Sequence, residues 1–233
     1  MDPSLSTALM AGFLLGMRHA LDADHVAAVS TLVSQHRGVL RSCLLGTFWG
    51  VGHTAALLGA GLAMIVFKLT ITPEAEKAIE LVVALMLIAL GGQVLLRSVG
   101  HLQVHRHEHS HDGELHAHVH AHVGGNSTHD HVHVLRAGGR PLLVGLVHGL
   151  AGSAALTLLV LSTLSSTTAA IVYILVFGVG STIGMLLLSG VIGIPFALSA
   201  SRSRRAHALV QALAGTATLV LGVVLVAGFS GPR

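Results

Sequence analysis

The sequence predicts an all-α, polytopic membrane bundle of six transmembrane helices built as two inverted three-helix repeats. Three observations carry this prediction: an apolar composition, six apolar stretches each long enough to cross a bilayer, and a match between the two halves of the chain at a nearly constant spacing. Of 233 residues, 52% are hydrophobic and only 10% charged, and the mean hydropathy is +0.78, too apolar for a soluble domain of this size. Crossing a hydrocarbon core of about 30 Å takes roughly 20 apolar residues in a helix.

The first stretch runs from Leu5 to Leu32. It does not read as a cleaved secretory signal, because it lacks a basic start and carries Arg18, Asp22, Asp24 and His25 in its middle. The second and third run from Cys43 to Phe67 and from Ala78 to Leu96, and the last three from Leu142 to Leu164, Ala169 to Leu198 and Ala208 to Phe229. The expected organisation is a first membrane repeat over residues 1–97, a flexible histidine-rich loop over 98–140, and a second membrane repeat over 141–233.

Basic residues report orientation. The loops after the first, third and fifth spans hold Arg37, Arg41, Arg97, Arg106, Arg136, Arg140, Arg202, Arg204 and Arg205, against Lys68, Lys77 and Arg233 on the other side. The positive-inside rule then places both chain ends outside the cytoplasm and the histidine-rich loop inside it, in a multi-pass protein of the plasma (inner) membrane. With few aromatics beside these basic residues, no nucleic-acid platform is expected.

The halves match at Gly16 Met17 Arg18 His19 Ala20 Leu21 and Gly145 Leu146 Val147 His148 Gly149 Leu150, offset by 129 residues. Gly50 Val51 Gly52 His53 Thr54 matches Gly178 Val179 Gly180 Ser181 Thr182 at 128, and a weaker third match pairs Glu80 with Gln211 and Leu90 Gly91 with Leu221 Gly222 at 131. Three spans per half reverse the direction of insertion, which is the inverted repeat of many secondary transporters, with a substrate site near the midplane. The same glycines also suit close helix packing, and the two readings are compatible.

Charges inside a span cost roughly 2.5–3.5 kcal/mol each on insertion scales and so mark function. Arg18, His19, Asp22, Asp24 and His25 fall within eight positions of the first span. On an ideal helix Asp22 lies about 60° from both His19 and His25, whereas Asp24 lies about 140° from His19 and about 100° from His25. A cation held by His19, Asp24 and His25 therefore requires local unwinding or ligands from other helices. Arg18, four positions before Asp22, is expected to pair with it. His53 could supply a nitrogen from the second span. His148 occupies the repeat position of His19 without carboxylate neighbours, and Ser153, Ser181 and Thr182 are candidates for the second shell or the path.

The single cysteine, Cys43, excludes a thiolate cage, so the ligands are imidazole and carboxylate. That set suits nickel, cobalt, zinc or iron. No paired general base or nucleophile motif accompanies it, so no enzyme is expected. Between His101 and His133 stand twelve histidines, alternating at His105, His107, His109 and His111 and at His116, His118, His120 and His122, and continuing at His129, His131 and His133. The segment reads as a flexible metal-binding tract.

The run Arg18 His19 Ala20 Leu21 Asp22 Ala23 Asp24 His25 resembles the signature of the nickel/cobalt transporter family, a His, four residues, then Asp-His in a membrane helix. Gly52 His53 Thr54 resembles the family's Gly-His-Ser/Thr element. The resemblance implies permeation of Ni2+ or Co2+, with His19, Asp24, His25 and His53 required for it and no cofactor besides the transported ion. Typical uptake members are longer, usually with eight spans, and carry an acidic and threonine-containing motif where this chain has His148 Gly149 Leu150 Ala151 Gly152 Ser153. A compact chain with a histidine loop is more similar to the urease-accessory membrane proteins and histidine-loop exporters of the same group. Uptake and efflux both fit. So does a metal sensor or delivery protein serving a cytoplasmic metallochaperone or urease and hydrogenase maturation proteins.

Overall fold

The computed structural model describes residues 3–69, 71–100, 105–111, 114–120, 134–151 and 166–230. Along the chain these form α1 (Pro3–His19), α2 (Ala23–Ser34), α3 (Val39–Phe67), α4 (Pro73–Gly100), β1 (His105–His111), β2 (Glu114–His120), α5 (Val134–Ala151), α6 (Thr167–Arg202) and α7 (Arg204–Ser230). Among the described residues, four helices are long and apolar enough to cross a membrane: Val39–Phe67, Pro73–Ser98, Thr167–Arg202 and Arg204–Phe229. They correspond to the second, third, fifth and sixth expected spans. The stretch Leu5 to Leu32 is two helices instead of one, divided at Ala20, Leu21 and Asp22. The stretch Leu142 to Leu164 is helical as far as Ala151, and the remainder, with Ser153, lies outside the described residues.

At the two ends of the expected 98–140 loop, α4 runs on to Gly100 and α5 begins at Val134. Within the loop β1 and β2 pair antiparallel, with His105 opposite His120, His107 opposite His118 and His109 opposite His116. The period-two alternation of histidine with other residues suits a strand. His122, His129, His131 and His133 lie outside the described residues.

The bundle is apolar on its outside, as a bilayer solvent demands, and buries histidines within its otherwise apolar core. Leu14, Leu40, Leu96, Val191 and Leu198 are exposed, while His25, His53 and His148 are buried. Helices in lipid associate through close packing of small residues, and glycines set the crossings here. A Cβ on Gly16 of α1 would run into the Phe177 carbonyl of α6, with the Ser181 nitrogen at 2.9 Å. A Cβ on Gly145 of α5 would run into the Trp49 carbonyl of α3, with the His53 nitrogen at 3.0 Å. One turn on, Gly184 faces Ala20 and Gly149 faces Ala56. On the far side of the same crossings Gly180 abuts Phe13, and Gly52 abuts Leu142. Where α3 crosses α6, Gly50 sits on Thr182 and Gly178 on Thr54, and the Thr54 hydroxyl bonds Thr182 Oγ1 and the Gly178 carbonyl, each at 3.0 Å. The α4–α7 pair repeats the device, with Gly91 against Gly215 and Leu219 and Gly222 against Ala84 and Ile88.

The short α2 has no lipid-spanning length of its own and is held by its surroundings. Ala28, Val29 and Val33 enter the main core with Trp49, Leu87 and Met185. From α7, Gln211 donates to the Ser34 carbonyl at 2.7 Å and Thr218 to the Ala27 carbonyl at 3.0 Å.

Candidate metal centre

The site begins at the break between α1 and α2. Leu21 N donates to Arg18 O at 2.9 Å and Asp22 N to His19 O at 3.1 Å, so tight turns satisfy carbonyls that α1 would otherwise leave open. Asp22 is extended (φ −62, ψ 147), and helix resumes at Ala23, with Val26 N donating to Asp22 O at 3.0 Å. Asp24 thus lies in the first turn of α2, where the helix dipole favours a negative charge, and its Oδ1 accepts from His25 N at 2.9 Å. The break is what turns His19, Asp24 and His25 toward one another.

Two ligand sets result, each with its donor atoms mutually within 4.8 Å: His19, His25 and His53, and Asp24, His25 and His148. In the first, His19 Nδ1 donates to Asp22 Oδ2 at 2.8 Å, which leaves Nε2 as the lone-pair nitrogen. That Nε2 stands 3.3 Å from His53 Nε2. Two nitrogens bound to one ion at about 2.1 Å, at right to tetrahedral angles, are about 3.0–3.4 Å apart. The pair is spaced to share a cation or, without one, a proton. In the second set Asp24 Oδ1 accepts from His25 Nδ1 at 3.0 Å and Oδ2 from His148 Nε2 at 2.9 Å.

Arg18 does not take up Asp22 as expected. Its side chain is exposed, and the chain turn at residues 20–22 hands the carboxylate to His19 instead. Thr182 bonds Thr54, and Ser181 is buried at the α1–α6 crossing. Neither lines the cavity of about 330 Å³ onto which His19, Asp22, Asp24, His25, His53 and His148 open. His148 is closer to the centre than its sequence neighbours suggested, because the carboxylate it lacks locally arrives from Asp24, on the other half of the chain.

Two residues escaped the sequence reading. Glu80 of α4 lines the same cavity, beside Val83, Leu225 and Phe229. As a carboxylate inside an expected span, it carried the same signal that singled out Asp22 and Asp24. Trp49 packs its ring 5.3 Å from that of His25 and 5.7 Å from that of His148; nothing in its apolar surroundings marked it.

Buried polar atoms without partners call for a ligand or a water. Among the described residues, His25 Nε2, His53 Nδ1 and His148 Nδ1 are such atoms, and all three residues are buried. Imidazole nitrogens and carboxylate oxygens gathered without thiolate are a donor set that could hold a borderline divalent transition metal. Cys43 plays no part, its sulfur lying against Gly190. If Asp22 sets the His19 tautomer, Asp22→Asn should weaken Ni2+ binding about 10–100-fold. Equilibrium titration of the purified protein checks this, and unchanged affinity would show that His19 needs no such orientation.

Residues 5–229 match the family model described as high-affinity nickel-transport protein, NicO. The chain is 39% identical over 223 residues to the urease accessory protein UreH of Bacillus sp. (strain TB-90), covering 94% of this chain and 90% of that protein. It is 31% identical over 99 residues to the hydrogenase nickel incorporation protein HupN of Bradyrhizobium diazoefficiens, covering 41% of this chain and 20% of that one. No solved structure matches.

Proposed function

The chain belongs to the high-affinity nickel-transport protein family, and on that premise we propose that it is a secondary transporter carrying Ni2+, or Co2+, through the buried His/Asp centre at the α1–α2 break. The observation that carries this reading is the convergence of His19, Asp24, His25 and His53 on one cavity among the helices, with a carboxylate fixing one imidazole. Site and family agree on the ion class, since the donor set is imidazole and carboxylate without thiolate. The names of the two relatives, one tied to urease and the other to nickel incorporation into hydrogenase, favour supply of nickel to maturing enzymes over its disposal. Cytoplasmic maturation proteins are the partners this implies.

The framework is a six-span inverted repeat, with repeats over 1–97 and 141–233 joined by the histidine tract of 98–140. Support comes from the exchanged glycine contacts. Gly16 on Phe177 and Ser181 becomes Gly145 on Trp49 and His53 when each residue is moved by 128 or 129 positions to its match. The contacts of Gly91 and Gly222 exchange likewise at 131. With the basic loops in the cytoplasm, Glu80 near the start of α4 and Phe229 near the end of α7 lie toward the outer face. The cavity then admits ions from outside, and the tract, rich in imidazole, receives or buffers them within.

Proteoliposomes loaded with a metal-sensitive dye test the proposal. Wild-type protein should admit Ni2+, and His19→Ala and Asp24→Ala should not. Normal flux in both variants would overturn the site. Metal binding by the wild type without any flux would instead make the protein a sensor or delivery protein.

A further inference from the structure

His148 has no place in the motif that runs from His19 to His25, yet the geometry sets it directly on Asp24. The two ligand sets share one residue, His25, whose ring lies 4.4 Å from that of His19 and 4.2 Å from that of His148. Its Nδ1 faces Asp24, and its Nε2 has no partner among the described residues. A neutral imidazole offers one lone pair at a time, and a tautomer change moves that lone pair from one ring nitrogen to the other.

We infer that the cavity holds two successive positions for one divalent cation, and that His148 is a ligand of the second. In the first position the ion is bound by His19, His25 and His53; in the second by Asp24, His25 and His148. The inference rests on the transporter reading and deepens it. The ion moves by exchanging His19 and His53 for Asp24 and His148 while His25 stays within reach, so it is never stripped of all protein ligands in a low-dielectric interior. The net change is three imidazoles for two imidazoles and a carboxylate; as the metal takes the nitrogens that face Asp24, the proton on His25 Nδ1 passes to Nε2 and the proton on His148 Nε2 passes to Nδ1, so the proton count is unchanged. The second position needs both halves of the chain, since Asp24 comes from α2 and His148 from α5.

Trp49, the chain's single tryptophan, lies against His25 and His148 and so reports on this centre. Co2+ titrated into the full chain in lipid nanodiscs should quench its fluorescence saturably, and Ni2+ flux is measured in parallel in proteoliposomes. His148→Ala should keep the quenching, because the first position is intact, and lose flux by about tenfold or more. His148→Gln, which restores an amide N–H for Asp24 but no imidazole, should behave as His148→Ala does. Flux within about twofold of wild type in either variant overturns the inference, and rescue by glutamine alone would make His148 a positioning residue instead of a ligand. Loss of all quenching in both variants overturns it too, by showing one undivided site. Wild-type protein that neither quenches nor transports would count against the transporter reading itself, independently of His148.

Discussion

Replacing His25 by alanine should reduce Ni2+ flux by on the order of a hundredfold or more, the largest loss expected from any single side chain. Changing groups that merely orient metal ligands costs about 10–100-fold, and His25 is more than that: it is the one residue common to both ligand sets. Its removal also leaves Asp24 with one buried partner fewer and a hole between the rings of His19 and His148. The rate is read as dye quenching in proteoliposomes. His36→Ala serves as the control, because His36 sits beyond α2, bonded to the Leu32 carbonyl, and does not line the cavity. Flux within about threefold of wild type in His25→Ala would place the permeating ion elsewhere.

The second large effect is structural. Gly145→Val should destabilise the bundle by about 3 kcal/mol or more, because a Cβ there meets the Trp49 carbonyl, a rigid backbone atom with nowhere to go. To make room α5 must back away from α3, and those two helices carry His148 and His53. A lowered thermal midpoint in detergent and lost flux should therefore appear together. Gly59, in the same helix α3, has nothing within 4 Å of its would-be Cβ. Gly59→Ala should shift stability by less than about 1 kcal/mol, and in the favourable direction. If the two variants melt alike, close backbone approach is not what holds α5 to α3.

Hydropathy made the long helices legible, because burying about 20 apolar residues in lipid leaves few alternatives to a helix. The broken first span was legible only by geometry. Ala20, Leu21 and Asp22 include neither glycine nor proline, so no local signal marks the interruption; the angular separation of Asp24 from His19 does. The break also parts Arg18 from Asp22: the helical spacing that would pair them does not hold across residues 20–22, and the carboxylate goes to His19. The place of His148 was underestimated for a different reason. A scan along the chain looks for carboxylates beside a histidine, whereas Asp24 reaches it from 124 residues away. The packing of α5 against α3 and beside α2 brings the two together, and only the folded chain displays it.

The glycine contacts described above bear on what joins the molecule. Gly16, Gly52, Gly91, Gly145, Gly180 and Gly222 each meet a residue of the opposite half, as do the hydrogen bonds from Gln211 and Thr218 to α2. The halves are intertwined: α1 lies on α6, α5 on α3 and α4 on α7. Neither half is therefore a folding unit that could be lifted out intact, since each would expose to lipid the backbone grooves that the other fills. A chain cut within the histidine tract keeps every one of these contacts, so the two fragments should travel together as one protein.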